Sequence, residues 1–132
     1  KYLSDEEIGE YLYMTDIYLS PYPNKDQAVS GTMAFAVGCG RAIVSTSYAY
    51  ATEVLAGKRG LLAGQAEPTE LSHLIRSLLL DEALKSRLQS RSQELGKSWT
   101  WNNIGKQYRS LFQKILDNNY VNEEHNLSYG GL

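Results

Sequence analysis

Hydrophobic and polar positions follow one another in blocks that predict helices and short strands in alternation. Residues 4–7, SDEE, form a capping box, and the apolar positions after it recur at helical spacing. Two β-prone runs, 17–19 and 42–45, predict short buried strands, and 60–64, GLLAG, predicts a third. Helix and strand in alternation indicate an α/β fold with a parallel sheet.

The helix between the first two strands has an unusual composition. Ser30 is a good N-cap, the following residues TMAFAVGC are almost all apolar, and Gly38 and Gly40 end the run. Such a helix must be buried nearly all round.

The second half of the chain predicts helices only. Pro68 suits the first turn of one helix, Gly96 is expected to stop the next, and Thr100 precedes the last. The last helix has an apolar stripe that we expect to face a core, formed by Ile104, Tyr108, Leu111, Phe112 and Ile115.

The predicted fold is a partial Rossmann-like α/β domain over residues 1–116, with three short parallel strands, flanking helices and a helical C-terminal part. Residues 117–132 are polar and aperiodic and predict a tail or linker. Doubly wound sheets carry about six strands. Because the strands are few and the chain begins with Lys1 and not Met, we expect a piece of a longer protein. The open strand edge of this piece favours a homo-oligomer of the fragment.

Composition narrows the class of protein. The 132 residues are 42% hydrophobic with a net charge of -2, which gives no basic footprint for nucleic acid. No apolar run approaches the roughly 18 residues of a membrane span, and no signal peptide is recognisable. Cys39 is the single cysteine and lies in an apolar run, as a core residue would. A cytoplasmic setting follows as the default.

The start of the apolar helix is the main candidate for chemistry. Ser30, Gly31 and Thr32 bring free N–H groups, the positive end of the helix dipole and a close backbone approach, all of which suit an anion. The alternative is that Ser30 only caps the helix and Gly31 only eases a tight turn.

Other candidates carry weaker signals. Glu53 could accept a ligand hydroxyl, or be solvated, or pair with Arg59; Tyr22 lies in a loop at the ligand edge of the sheet. His73 and His125 are isolated from cysteines and carboxylates, so the sequence predicts no metal site.

Three stretches, 16–64, 74–95 and 99–112, taken in order, resemble the C-terminal half of the nucleotide-binding domain of retaining glycosyltransferases of the GT-B fold, family 4. The resemblance covers roughly residues 2–116. The segments VGCGRAIVST and ATEVLAGKRGLLAG and the final W…Y..LF helix carry the resemblance. Counted back from Cys39, the two glutamates of the family pattern fall on Gln27 and Phe35. Gln27 keeps hydrogen-bonding ability without charge, whereas Phe35 cannot accept a hydrogen bond from a ribose hydroxyl.

The resemblance implies roles for several residues. The backbone of Val29, Ser30, Gly31 and Thr32, with Gln27 beside it, would bind the diphosphate and sugar of the donor. Glu53 matches a family Glu whose role looks structural, and Tyr2 and Leu3 would lie on the side of the base. Tyr22 is a further secondary position because of its place in the loop, and the resemblance assigns it no role.

The function so implied is hexosyl transfer with retention, from a nucleotide sugar to a glycan or lipid-linked acceptor held by an N-terminal domain outside this chain. No metal or other cofactor is expected. The basic residues that neutralise the diphosphate also lie outside these residues, so the fragment alone should be inactive. Membrane association through the full-length protein stays open. The alternative is a non-catalytic interaction or regulatory module of the same fold; a nucleotide-sugar epimerase is a third option supported by architecture alone.

Overall fold

The elements described here come from a computed structural model that describes the backbone of residues 2–127 and the side chains of residues 2–117. Helices and strands alternate through the first half, and helices follow. The described elements are α1 (Asp5–Tyr13), β1 (Ile17–Ser20), α2 (Gly31–Gly38), β2 (Ala42–Thr46), α3 (Ala49–Val54), β3 (Leu61–Ala63), α4 (Pro68–Leu80), α5 (Glu82–Ser98) and α6 (Trp101–Leu127).

The three strands form one open parallel sheet in the order β1-β2-β3. Ile17 pairs with Ala42, and Val44 pairs with Leu61, so that all three strands end at the same edge. A parallel sheet with helical crossovers is the predicted partial Rossmann-like α/β fold, and the structure confirms it.

Local signals in the sequence fix several helix starts. Ser4 accepts a hydrogen bond from the Glu7 N–H while the Glu7 carboxylate accepts one from the Ser4 N–H, which completes the predicted capping box. Pro68 occupies the first turn of α4, and the Asp81 carboxylate accepts from the Leu84 N–H at 2.8 Å ahead of α5. These caps satisfy N–H groups that have no partner within the helix.

The sheet separates two apolar layers. Ala42 and Val44 project to one face, where Leu71 and Leu78 of α4 and Leu88 of α5 form a buried cluster with them. Successive residues of a strand project to opposite faces, so Ile43 and Ser45 face the other layer. Helices α2 and α3 also have buried residues, namely Met33, Ala36, Val37, Ala51 and Val54.

Gly96 does not end a helix as the sequence predicted. It lies inside α5, where a Cβ would stand 2.7 Å from the Val37 carbonyl oxygen and 2.9 Å from the Gly38 Cα. The glycine is therefore needed for the close approach of α5 to the end of α2, and its helix continues to Ser98.

The chain divides into two compact units, Lys1–Lys97 and Ser98–Leu132. Within its described residues the second unit consists of α6 and the few residues before it, so this unit has no second element to cover an apolar stripe. Tyr108, Leu111 and Phe112 are accordingly exposed, and the expectation that they face a core is wrong for this unit. Helix α6 continues to Leu127, and residues 128–132 of the predicted tail lie outside the described residues. The division at residues 116 and 117 stays a prediction.

Candidate functional site

The candidate site lies at the start of α2, where the chain returns from the carboxyl end of β1. Ser30 is the N-cap, as predicted, and its hydroxyl accepts a hydrogen bond from the Met33 N–H at 3.3 Å. Ligands of open α/β sheets bind at this edge of the sheet, beyond the carboxyl ends of the strands.

The first turn of α2 offers free hydrogen-bond donors. In the described part of the chain, the backbone N–H groups of Ser30, Gly31 and Thr32 donate to no other residue. A Cβ on Gly31 would meet nothing within 4 Å, and the residue lies in a helix with an ordinary φ. The space beside Gly31 is therefore open, whereas Ser30 itself is buried. The group of N–H donors with the helix dipole is suited to an anion.

Tyr18 belongs to this site, although the sequence indicated only a strand residue there. Its hydroxyl donates to Thr32 Oγ1 at 2.7 Å, and Thr32 Oγ1 lies 3.5 Å from Ser30 Oγ. Burial raises the pKa of Tyr18, so its hydroxyl stays protonated and remains a donor. Because Tyr18 occupies one lone pair of Thr32, the Thr32 hydroxyl keeps its own proton for another acceptor. The sequence contained one signal for this role of Tyr18, namely that it is a tyrosine in a strand that leads to the ligand edge of the sheet.

The loop before α2 is held from two sides. The Lys25 carbonyl accepts from the Ala49 N–H at 2.9 Å and the Gln27 carbonyl from the Tyr50 N–H at 3.3 Å, so the loop backbone caps α3. The Gln27 side chain donates through Nε2 to the Val29 carbonyl at 2.9 Å. Gln27 is half-buried, and Val29 is exposed.

Two buried hydroxyl groups, those of Tyr48 and Ser20, form a cluster next to Met33 in the first turn of α2. The hydroxyls of Tyr48 and Ser20 lie 2.9 Å apart, and Tyr48 is fully buried with its hydroxyl 3.7 Å from Met33 Sδ. Tyr22 packs edge-on against Tyr48 with ring centroids 5.3 Å apart, and its carbonyl accepts from the Thr46 hydroxyl. Tyr22 therefore joins the loop after β1 to the end of β2.

The remaining predicted positions lie around this centre. Tyr2 is 97% exposed and Leu3 half-buried, both just before α1, which packs against α2. Glu53 is exposed on α3. The pKa of Tyr50 is raised first by burial, then by the nearby Tyr48, and least by the charge of Glu53. Phe35 lies in the second turn of α2 and is 40% exposed. The predicted residues that lie together, in the first turn of α2 and in the four residues before it, are Gln27, Val29, Ser30, Gly31 and Thr32. The other predicted site residues lie outside this stretch.

Among the residues that the structure describes, no three His, Cys, Asp or Glu side chains form a cluster that could hold a metal ion. His73 is exposed on α4, and Cys39 is a half-buried free thiol. Over the same residues, no helix combines the length and apolar character needed to cross a membrane.

Comparison with known proteins gives one distant likeness. The chain is 28% identical over 106 residues to a protein of Methanocaldococcus jannaschii named "Uncharacterized glycosyltransferase MJ1069". The alignment covers 78% of this chain and 26% of the relative, so the chain spans about a quarter of the curated relative that it matches. No protein-family model matches the chain.

Proposed function

We propose that this chain is part of the donor-binding region of a glycosyltransferase and that the first turn of α2 binds the diphosphate of a nucleotide sugar. The class of enzyme is supported by the likeness to the archaeal glycosyltransferase. The site is supported by the N–H groups of Ser30, Gly31 and Thr32, which donate to no other described residue, and by the open space beside the Gly31 Cα at the ligand edge of the sheet.

That group of donors is the observation that carries the proposal. Three adjacent N–H groups, the Thr32 hydroxyl supported by Tyr18, and the dipole of α2 all favour negative charge. The reaction that fits is transfer of a hexose with retention and without a metal, to a glycan or lipid-linked acceptor held by another part of the full-length protein. The cations that would stabilise the leaving diphosphate would come from that part as well.

A second candidate is a non-catalytic interaction or regulatory module. Phe35 favours it, because an exposed phenyl ring stands where the resembling family carries a carboxylate. The two functions differ in turnover: the full-length protein should release UDP or GDP from a nucleotide sugar and glycosylate an acceptor if it is an enzyme. Tight nucleotide binding with no release of diphosphate in the presence of acceptor extracts would favour the module.

The binding site itself is tested by Gly31→Val. The Cβ of the new side chain would meet nothing within 4 Å, so the fold should persist while the added methyl groups hinder the approach of phosphate to the backbone. We expect the affinity of the full-length protein for UDP or GDP to fall by about tenfold or more, measured by titration calorimetry.

The matched control is Gly38→Val, at the other end of the same helix, where a Cβ also meets nothing within 4 Å. This variant should keep the affinity of the wild type and should report any general effect of valine in α2. Unchanged affinity in Gly31→Val would exclude this turn as the diphosphate site.

A further inference from the structure

The two outer strands of the sheet differ in how their free sides are finished. Strand β3 has three residues and comes shortly after the cationic residues Lys58 and Arg59. Immediately after β3, the Gly64 N–H donates to the Glu70 carboxylate at 2.8 Å. Short length and flanking charge are features by which proteins prevent further pairing at the edge of a sheet. Strand β3 is therefore suited to be the last strand on its side.

Strand β1, at the opposite edge, lacks these charged neighbours within its pairing region. Its four residues, IYLS, include no charged residue and no proline, and they pair with β2 on one side only. In the described part of the chain, the backbone of 17–20 makes one hydrogen bond outside this pairing, from the Ser45 hydroxyl to the Ser20 carbonyl. Alternate backbone groups of a strand point to opposite sides, so those on the free side of β1 are available to another strand.

One face of the sheet is also uncovered beside β1. Leu19 pairs with Val44, which belongs to the core under α4, so the two side chains project to the same face. Helix α4 packs against β2 and β3, and a groove of about 570 Å³ remains between α4 and the end of β1. Its lining is mostly apolar and includes Leu19, Ile75 and Leu79. Because parallel sheets are covered on both faces, this groove lacks a covering element.

We propose that β1 pairs with a further parallel strand of the full-length protein, and that the helix joined to this strand packs into the groove between α4 and β1. A strand followed or preceded by a helix supplies both missing parts at once. About three quarters of the archaeal relative lies outside the alignment with this chain, which leaves ample length for a unit of about 30 residues. The inference depends on the fold and not on nucleotide binding.

A second copy of this chain is the alternative occupant of the free edge. Two copies related by a two-fold axis would pair β1 antiparallel to β1, with both grooves on the same side of the joined sheet. Neither copy would then provide a helix for either groove. The apolar surface of Leu19, which is 40% exposed, and of Leu79 would stay in water. This loss of burial favours the strand and helix of the full-length protein.

Two neighbouring leucines of α4 allow a matched test in the full-length protein. Leu79 lines the groove and Leu80 does not, although the two are 66% and 74% exposed in this chain. Each is replaced by cysteine in a separate variant. The rate of maleimide labelling is followed by mass spectrometry on the tryptic peptide 77–85, which has no cysteine of its own. We expect Leu79→Cys to react about tenfold or more slowly than Leu80→Cys, because the first thiol is accessible only after local opening.

A second measurement needs no variant. With a strand on each side, all the amides of 17–20 should exchange hydrogen within about tenfold of the rates in β2, measured residue by residue in the full-length protein. A free edge would leave alternate amides of β1 exchanging much faster. Strand β3 is the internal control, because its outer amides should exchange faster than those of β2.

The outcomes are distinct. Slow labelling of Leu79→Cys at every protein concentration, together with slow exchange throughout β1, supports the proposal. Equal labelling of the two variants, or fast exchange at alternate amides of β1, overturns it. Slow labelling that is lost on dilution, with a dimeric mass by light scattering, assigns the surface to a second copy and also overturns it. Failure to bind UDP or GDP would overturn the proposed function and leave this inference standing.

Discussion

At the scale of single residues, two buried serines differ in their hydrogen bonds. The hydroxyl of Ser45 has partners, and that of Ser92 has none. Ser45 is fully buried, and its hydroxyl lies 3.0 Å from the Ser20 carbonyl and 2.9 Å from the Thr46 carbonyl. Ser92 is equally buried in α5, and its Oγ has no hydrogen-bond partner in the structure. A buried hydroxyl without a partner costs free energy that a methyl group would not.

We therefore expect Ser92→Ala to raise the free energy of unfolding by about 1 kcal/mol, because the unsatisfied hydroxyl is removed and alanine favours the helix. Chemical denaturation measures this change. Ser45→Ala is the matched control and should lower the stability by about 1 kcal/mol, since it leaves buried carbonyls without their donor. A destabilised Ser92→Ala protein would show that its hydroxyl has a partner.

At the scale of elements, the connection from β3 to α4 is held by a carboxylate. Glu70 in the first turn of α4 accepts hydrogen bonds from the N–H groups of Gly64 at 2.8 Å and Gln65 at 3.2 Å. These two bonds hold the pKa of Glu70 below its usual value. The ionised form is thus favoured in the folded state, and it fixes the turn at the ligand edge of the sheet.

This lowered pKa predicts an acid-sensitive contribution to stability. The contribution is present above the unfolded pKa of about 4.3 and is lost as the pH falls through the lower folded value, because protonation costs the carboxylate its two bonds. Urea midpoints measured from about pH 6 down to about pH 3 should fall less steeply in Glu70→Gln than in wild type. Glu67→Gln is the control, because it removes the same charge beside the start of α4 and leaves the hydrogen bonds of Glu70 intact. Equal slopes for Glu70→Gln and wild type would contradict the prediction.

At the scale of the whole molecule, the first unit depends on close approach between elements far apart in sequence. Gly96 of α5 lies against the backbone of Val37 and Gly38, and Gly40, with φ +64, lies against Gln93. The atoms near Gly96 belong to the backbone and cannot move aside as a flexible side chain would.

Gly96→Ala should accordingly lower the free energy of unfolding by about 1–3 kcal/mol through overpacking, measured by thermal and chemical denaturation. Gly9→Ala is the control within α1, where a Cβ meets nothing within 4 Å. That variant should gain about 0.5–1 kcal/mol, because alanine loses less conformational entropy in a helix. A neutral Gly96→Ala would mean that α5 does not pack against α2 as closely as described.

The sequence by itself determined the elements whose causes are local. The capping box at Ser4, the N-cap at Ser30, Pro68 in the first turn of α4 and the β-branched run of β2 depend on neighbours a few residues away, and the structure confirms them. The parallel α/β architecture followed from their order.

Only the tertiary structure decided the features that join distant parts of the chain. Gly96 became a packing residue because Val37 lies against it, and Tyr18 joined the site because β1 places its hydroxyl beside Thr32. The exposed stripe of α6 has helical spacing, but spacing indicates which side chains share a face and not whether another element covers that face. Local chemistry selects each element, whereas contacts across the fold decide what each side chain meets.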